Sequence, residues 1–232
     1  MKNTFLAFKS FIGSRFPAFA DAMWNFRYLS KKDQSQFGEM SLLNTHLRYL
    51  NTLNYLELGC YQPVFLSNSY FLKRKGSRGV HVDANRSLAI QWKLFRHKEP
   101  FVVAAVVPEN EIGSKILYTF PRRHGVLSSL DPEFIKPWIS AGLSPKEELI
   151  DCISICEIFQ TTTILLGKVD LILIDVEGYD FKLLENLLPN IDSPPKWILA
   201  EDTGGEVNTL LTKFGYEELG TAGPSALFKL ST

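Results

Sequence analysis

Two short apolar runs that end on acids constrain this chain most. Residues 54–59 read Asn-Tyr-Leu-Glu-Leu-Gly, and residues 79–83 read Gly-Val-His-Val-Asp. Each has the character of a buried parallel strand arriving at a ligand crevice. The first run delivers Glu57 and Gly59 into a turn that leads to a helix. The second stops at Asp83, where a carboxylate can accept both hydroxyls of a ribose. The stretch between them has room for a turn, one helix and a return strand. This geometry predicts a nucleoside-type cofactor at the edge of an open α/β sheet.

The turn narrows the choice of cofactor. It reads Glu57-Leu58-Gly59-Cys60-Tyr61-Gln62-Pro63. A dinucleotide fingerprint needs several glycines so that backbone N–H groups can press against a pyrophosphate. Here a single glycine is followed by bulky Tyr61 and then Pro63, which speaks against NAD and FAD. S-adenosylmethionine has no phosphate. It needs a close backbone approach at its amino-acid end and an acid for its ribose, and one glycine flanked by an acid suits it better.

Two longer stretches carry a family resemblance. They are Tyr55-Leu-Glu-Leu-Gly-Cys-Tyr-Gln-Pro-Val-Phe-Leu-Ser-Asn-Ser-Tyr70 and Lys75-Gly-Ser-Arg-Gly-Val-His-Val-Asp-Ala-Asn85. With Ser128-Ser129-Leu130-Asp131 and Leu173-Ile-Asp-Val-Glu-Gly-Tyr-Asp180, the chain resembles the FkbM-type methyltransferases from about residue 54 to about 202. Gln62 departs from the pattern, since many relatives have a histidine there. The resemblance implies a Rossmann-like class I methyltransferase sheet: five parallel strands closed by a C-terminal antiparallel hairpin. It implies an O-methyltransferase using S-adenosylmethionine on a hydroxyl, by family analogy that of a sugar in a surface glycan or glycosylated metabolite. Glu57, Gly59 and Tyr61 would then hold the methionine end and Asp83 the ribose, with Ser67 and Asn68 supporting the turn. Two other readings stay open: a non-catalytic nucleoside- or glycan-binding domain, and an N- or C-methyltransferase on the same scaffold.

Ligands of open α/β sheets sit beyond the carboxyl ends of the strands. Further strands are expected at 101–107, 169–174 and 197–200, and the last two deliver Asp175, Glu177, Glu201 and Asp202 to the acceptor side. Two chemistries could use these acids. Asp175 or Glu177 is a candidate general base for an acceptor hydroxyl. Alternatively, Asp175, Glu201 and Asp202 hold a hard divalent cation, Mg2+ rather than zinc because the ligands are all oxygens. Capping of the helices near 179 and 205 competes for Glu177 and for the Glu201-Asp202 pair. His124, in the basic loop Arg122-Arg123-His124-Gly125, is a third candidate base or an anion contact. His81 lies inside a strand and reads as a packing residue.

The remainder divides into a helical N-terminal appendage, 1–50, and a methyltransferase domain, 51–232. Prolines 108, 121, 132, 137 and 145 mark 108–150 as a long acceptor-side loop or insertion. Helices are expected at 64–75, 86–97, 151–161, 179–188 and 205–214, followed by a hairpin. Lys plus Arg total 25 and Asp plus Glu total 25, so no positive balance favours nucleic acid. Cys60, Cys152 and Cys156 are odd in number and poorly spaced for zinc, which suits apolar fillers in a reducing, cytoplasmic compartment. In the appendage, Phe5, Phe8, Ile12, Phe16, Phe19 and Met23 follow a helical period. That stripe packs against the catalytic domain or a second subunit of a homo-oligomer. Otherwise it lies at the inner face of a membrane, as a peripheral contact beside a lipid-linked substrate.

Overall fold

The computed structural model describes residues 17–120 and 122–231. Most of the N-terminal aromatic stripe, Phe5 to Phe16, lies outside them. Helix α1 is described over Pro17–Tyr28. Helix α2 follows at Glu39–Leu47. Then come β1 (Asn54–Leu58), α3 (Tyr70–Arg74), β2 (Arg78–Asp83), α4 (Ala89–Phe95), β3 (Phe101–Val103) and β4 (Ala105–Val107). The second half holds β5 (Ser114–Thr119), α5 (Pro132–Ser140), β6 (Lys146–Ser154), α6 (Ile155–Leu166), β7 (Leu171–Ile174) and α7 (Asp180–Leu187). It closes with β8 (Trp197–Glu201), α8 (Glu206–Lys213), β9 (Tyr216–Ala222) and β10 (Ser225–Leu230).

The main sheet has seven strands in the order β3-β2-β1-β7-β8-β10-β9. Strands β3 to β8 of that order run parallel. The C-terminal pair is antiparallel, β10 on β8 and β9 on β10. This is the α/β layout expected of a class I methyltransferase. Both faces of the sheet are covered, so its central strands are apolar throughout. Strand alternation divides them between two cores. Leu56, Leu58, Ile172, Ile174, Ile198 and Ala200 face α6, α7 and α8. Tyr55, Leu171, Leu173, Trp197 and Leu199 face Leu43 and Leu47 of α2 and Leu72 of α3. Each fully buried Leu or Ile contributes roughly 1.5–3 kcal/mol relative to its exposed state.

Four expectations are corrected. The strand read at 101–107 divides at Ala104, and only β3 stays in the main sheet; β4 joins a small sheet of order β4-β6-β5. That sheet also corrects 108–150 as a loop, since β5 and most of β6 lie within it, antiparallel from Ser114 opposite Asp151 to Thr119 opposite Lys146. Among its described prolines, Pro108 and Pro145 sit between elements, Pro132 lies in the first turn of α5 and Pro137 is inside that helix. The helix expected at 151–161 begins at Ile155, because β6 runs on to Ser154, whose Oγ caps the helix by accepting from the N–H of Cys156 at 3.1 Å. The helix expected at 64–75 shrinks to α3, after a turn in which Leu66 has φ +56°. Among the described residues no helix is long and apolar enough to cross a membrane.

Candidate functional site

The carboxyl ends of β1, β2 and β7 open into one cleft with about 900 Å3 of space, part of it continuous with solvent. Glu57, Gly59, Tyr61, Asn68 and Asp83 line one half, and Asp175 and Glu177 the other.

The turn after β1 is pinned from three sides. The N–H groups of Gly59 and Cys60 donate to the carbonyl of Val82 at 2.9 and 3.2 Å. The N–H of Tyr61 donates to Asp83 Oδ2 at 2.9 Å, and the Tyr61 carbonyl accepts from Trp92 Nε1 at 2.8 Å. Tyr61 itself has φ +46°, in the left-handed region that a bulky residue enters only under constraint. From outside, Asn25 of α1 accepts through Oδ1 from the N–H groups of Val64 and Phe65 and donates through Nδ2 to Gln62 at 2.8 Å. Gln62 therefore ties the N-terminal helix to the turn.

Asp83 also accepts from the N–H of Asn85 at 2.8 Å. Burial raises its pKa to about 6, against these two N–H bonds. Asn68 presents a buried Oδ1 that has no hydrogen-bond partner. Ser67 stays behind the wall, where its Oγ accepts from the N–H of Tyr70 and starts α3.

Glu57 faces the cleft from a buried network that sequence reasoning missed. Its Oε2 lies 2.7 Å from His81 Nδ1 and accepts from Ser69 Oγ at 2.6 Å. Behind them sits Arg96, 1% exposed. Its guanidinium donates to both oxygens of Glu99, at 2.6 and 2.9 Å, to Ser69 Oγ at 2.8 Å and to Tyr55 at 2.6 Å. Burial raises Glu99, but the hydrogen bonds from Arg96 and His81 outweigh it and hold the group at about 2. The available signal was register: His81 stands directly opposite Glu57 on the neighbouring strand.

On the other half, Asp175, Glu177 and Glu201 each bring a carboxylate oxygen within 4.8 Å of the other two. Burial, then the charges of Glu177 and Glu201, push Asp175 well above the usual range. Burial, then Glu201 and Asp180, lift Glu177 to about 8. Burial and Glu201 lift Asp180 to about 7, against N–H bonds from Val176 and Glu201. Glu201 is raised by burial and by Glu39. Glu177 has φ +51°, and its carbonyl accepts from Ser129 Oγ at 2.7 Å. A non-glycine residue held there costs of order 1–3 kcal/mol, which the surrounding contacts must offset.

The remaining site expectations fall elsewhere. Asp202 turns away from the cluster: its two oxygens accept from the N–H groups of Val207 and Asn208, at 3.2 and 2.9 Å, and cap α8. His124 lies on the short turn Arg122–Leu127; Gly125 and Val126 of that turn line the cleft, and His124 does not. Ser128, Ser129 and Leu130 do line it.

Two solved structures are similar to the chain in outline over nearly its whole length. A TehB-like SAM-dependent methyltransferase from Corynebacterium glutamicum is 12% identical, with a TM-score of 0.42, covering 97% of this chain and 99% of that one. An O-methyltransferase from Bacillus cereus, solved in complex with SAH, is 10% identical, with a TM-score of 0.37, covering 98% and 97%. No protein-family model matches the chain, and no curated protein matches it.

Proposed function

We propose that the chain is an S-adenosylmethionine-dependent O-methyltransferase of the FkbM type, with a sugar hydroxyl as acceptor. The observation that carries the reading is the division of one cleft into two chemically different halves. On one side stand a single-glycine turn, Glu57, Asp83 and the unpartnered Asn68 Oδ1, a set of acceptors that fits the amino group and ribose hydroxyls of a nucleoside bearing an amino acid. On the other stands a cluster of acids suited to a hydroxyl and a cation.

S-adenosylmethionine, when bound, supplies a methyl group on a sulfonium centre. The chain's part is to hold and orient. Glu57 and the Gly59 turn would take the amino-acid end, Asn68 would offer its free oxygen beside them, and Asp83 would take the ribose. Glu177 and Asp175 would then receive the proton of an attacking hydroxyl, their raised pKa values bringing them closer to a working base at neutral pH. Positioning of the two reactants in the cleft would supply much of the rate.

The donor set of Asp175, Glu177 and Glu201 also fits a hard divalent cation such as Mg2+: three carboxylates converge, and no cationic side chain is among the groups that shift them. Such an ion would relieve their repulsion and lower the pKa of an acceptor oxygen.

The test is transfer of labelled methyl from S-adenosylmethionine to a panel of glycans, with metal-stripped protein assayed before and after Mg2+ is restored. The reading expects transfer to a sugar hydroxyl. It also expects excess EDTA to stop transfer while S-adenosylhomocysteine still binds. Full activity in EDTA would remove the metal and leave a carboxylate base. Cofactor binding with no transfer to any acceptor would turn the reading toward a non-catalytic domain.

A further inference from the structure

We propose that the joint outer face of α1 and α4 docks on an anionic membrane surface, an inference independent of the methyl-transfer reading. The two helices meet at Phe26 and Phe95, whose rings cross edge to face with centroids 5.0 Å apart. Around that contact the apolar side chains turn outward. Phe26 is 66% exposed and Leu94 62%, and Met23, Leu29 and Ile90 are exposed beside them. A folded domain does not ordinarily leave so many large apolar groups together in water unless something covers them.

Charge identifies what covers them. Residues 20–32 and 86–98 expose Arg27, Lys31, Lys32, Arg86, Lys93 and Lys98, and no exposed Asp or Glu falls in either stretch. Asp21, the one acid there, is half-buried. The whole chain is neutral, with 25 basic and 25 acidic residues, so this face is locally cationic by segregation. Apolar groups rimmed by cations fit the headgroup boundary of an anionic bilayer, with the apolar groups entering the acyl edge and each cation adding attraction to the lipid charge. A second copy meeting this face across a two-fold axis would set cation against cation. The amino-acid sequence ahead of α1 continues the same chemistry, with Lys2, Lys9 and Arg15 among aromatics and no acid before Asp21.

The test is flotation of the full chain with vesicles of phosphatidylcholine alone and of phosphatidylcholine mixed with phosphatidylglycerol. The proposal expects partitioning onto the mixed vesicles at least about tenfold stronger than onto the neutral ones, falling with added salt. Lys93→Glu with Lys98→Glu should lose about tenfold or more of that binding, and Leu94→Gln should weaken it on its own. All these positions are exposed, and unchanged thermal melting would show that the variants fold. Absence of flotation, equal binding to both vesicle types, or full binding by the charge-reversed variant would each overturn the proposal. So would a wild-type dimer in light scattering that Leu94→Gln makes monomeric, since a second copy would then cover the face.

Discussion

A β-carbon at position 59 would lie 1.7 Å from the carbonyl oxygen of Asp175. Gly59 also has φ +73°, so the position is closed to other residues by both backbone conformation and space. The glycine lets the turn after β1 pass directly beside the end of β7, and that passage places the cofactor half of the cleft against the acid half. Gly59→Ala should therefore destabilise the fold by on the order of 3 kcal/mol or more, read as a large fall in melting temperature. A melting curve that matched the wild type would mean that the two strand ends are not packed this way.

Arg96 is the buried guanidinium of the network that holds Glu57 and Glu99, bonded to both oxygens of Glu99 and to Ser69, which donates to Glu57. Replacing it by Met, which fills similar space without charge, leaves those carboxylates buried without it. Arg96→Met should cost about 3–5 kcal/mol in denaturant unfolding. It should also weaken S-adenosylhomocysteine binding, because Glu57 loses its fixed orientation. A fully stable variant with intact binding would show that the network neither supports the fold nor orients Glu57.

The acid cluster predicts an unusual pH dependence. Glu177 and Asp180 titrate near 8 and 7 in the folded chain, above their ordinary 4.5 and 3.8. Between those limits the folded protein holds more protons than the unfolded one, so stability falls as pH rises. The metal-free protein should melt several degrees lower at about pH 8 than at about pH 5, and Mg2+ should restore the difference at the higher pH. A melting temperature that rises with pH across this window would contradict the buried, unpaired cluster.

Glu177→Gln separates stability from function. Removing one of three converging charges should stabilise the metal-free protein near pH 8 by on the order of 1 kcal/mol, read as a higher melting temperature, while abolishing the Mg2+ response and methyl transfer. Retained Mg2+ stabilisation in this variant would take Glu177 out of the cluster's cation-binding role.

The central strands were legible because their apolar runs end on acids, and β1, Asn54–Leu58, lies within the run read at 54–59. Four things were not. Register was one: Glu57 and His81 become partners only when β1 and β2 are aligned, so a histidine inside a strand looks like packing. Direction was another. Glu201 and Asp202 are adjacent, yet Glu201 joins the cluster while Asp202, past the strand end, turns to cap α8. The third was backbone conformation. Glu177 was expected as a candidate base, with helix capping as the competing reading, and not among the three cation ligands; its left-handed φ, with its carbonyl held by Ser129, accompanies its place in the cluster. The small sheet was hidden by the prolines around it, which marked element boundaries instead of one long loop.

Calorimetric titration of the purified chain with S-adenosylhomocysteine, wild type against Asp83→Asn, tests the cofactor assignment most directly. The prediction is a single site per chain, weakened in the variant by about 1–3 kcal/mol as a charged acceptor for the ribose is lost. No heat of binding in the wild type, or equal affinity in the two proteins, would contradict a nucleoside cofactor held between Glu57 and Asp83.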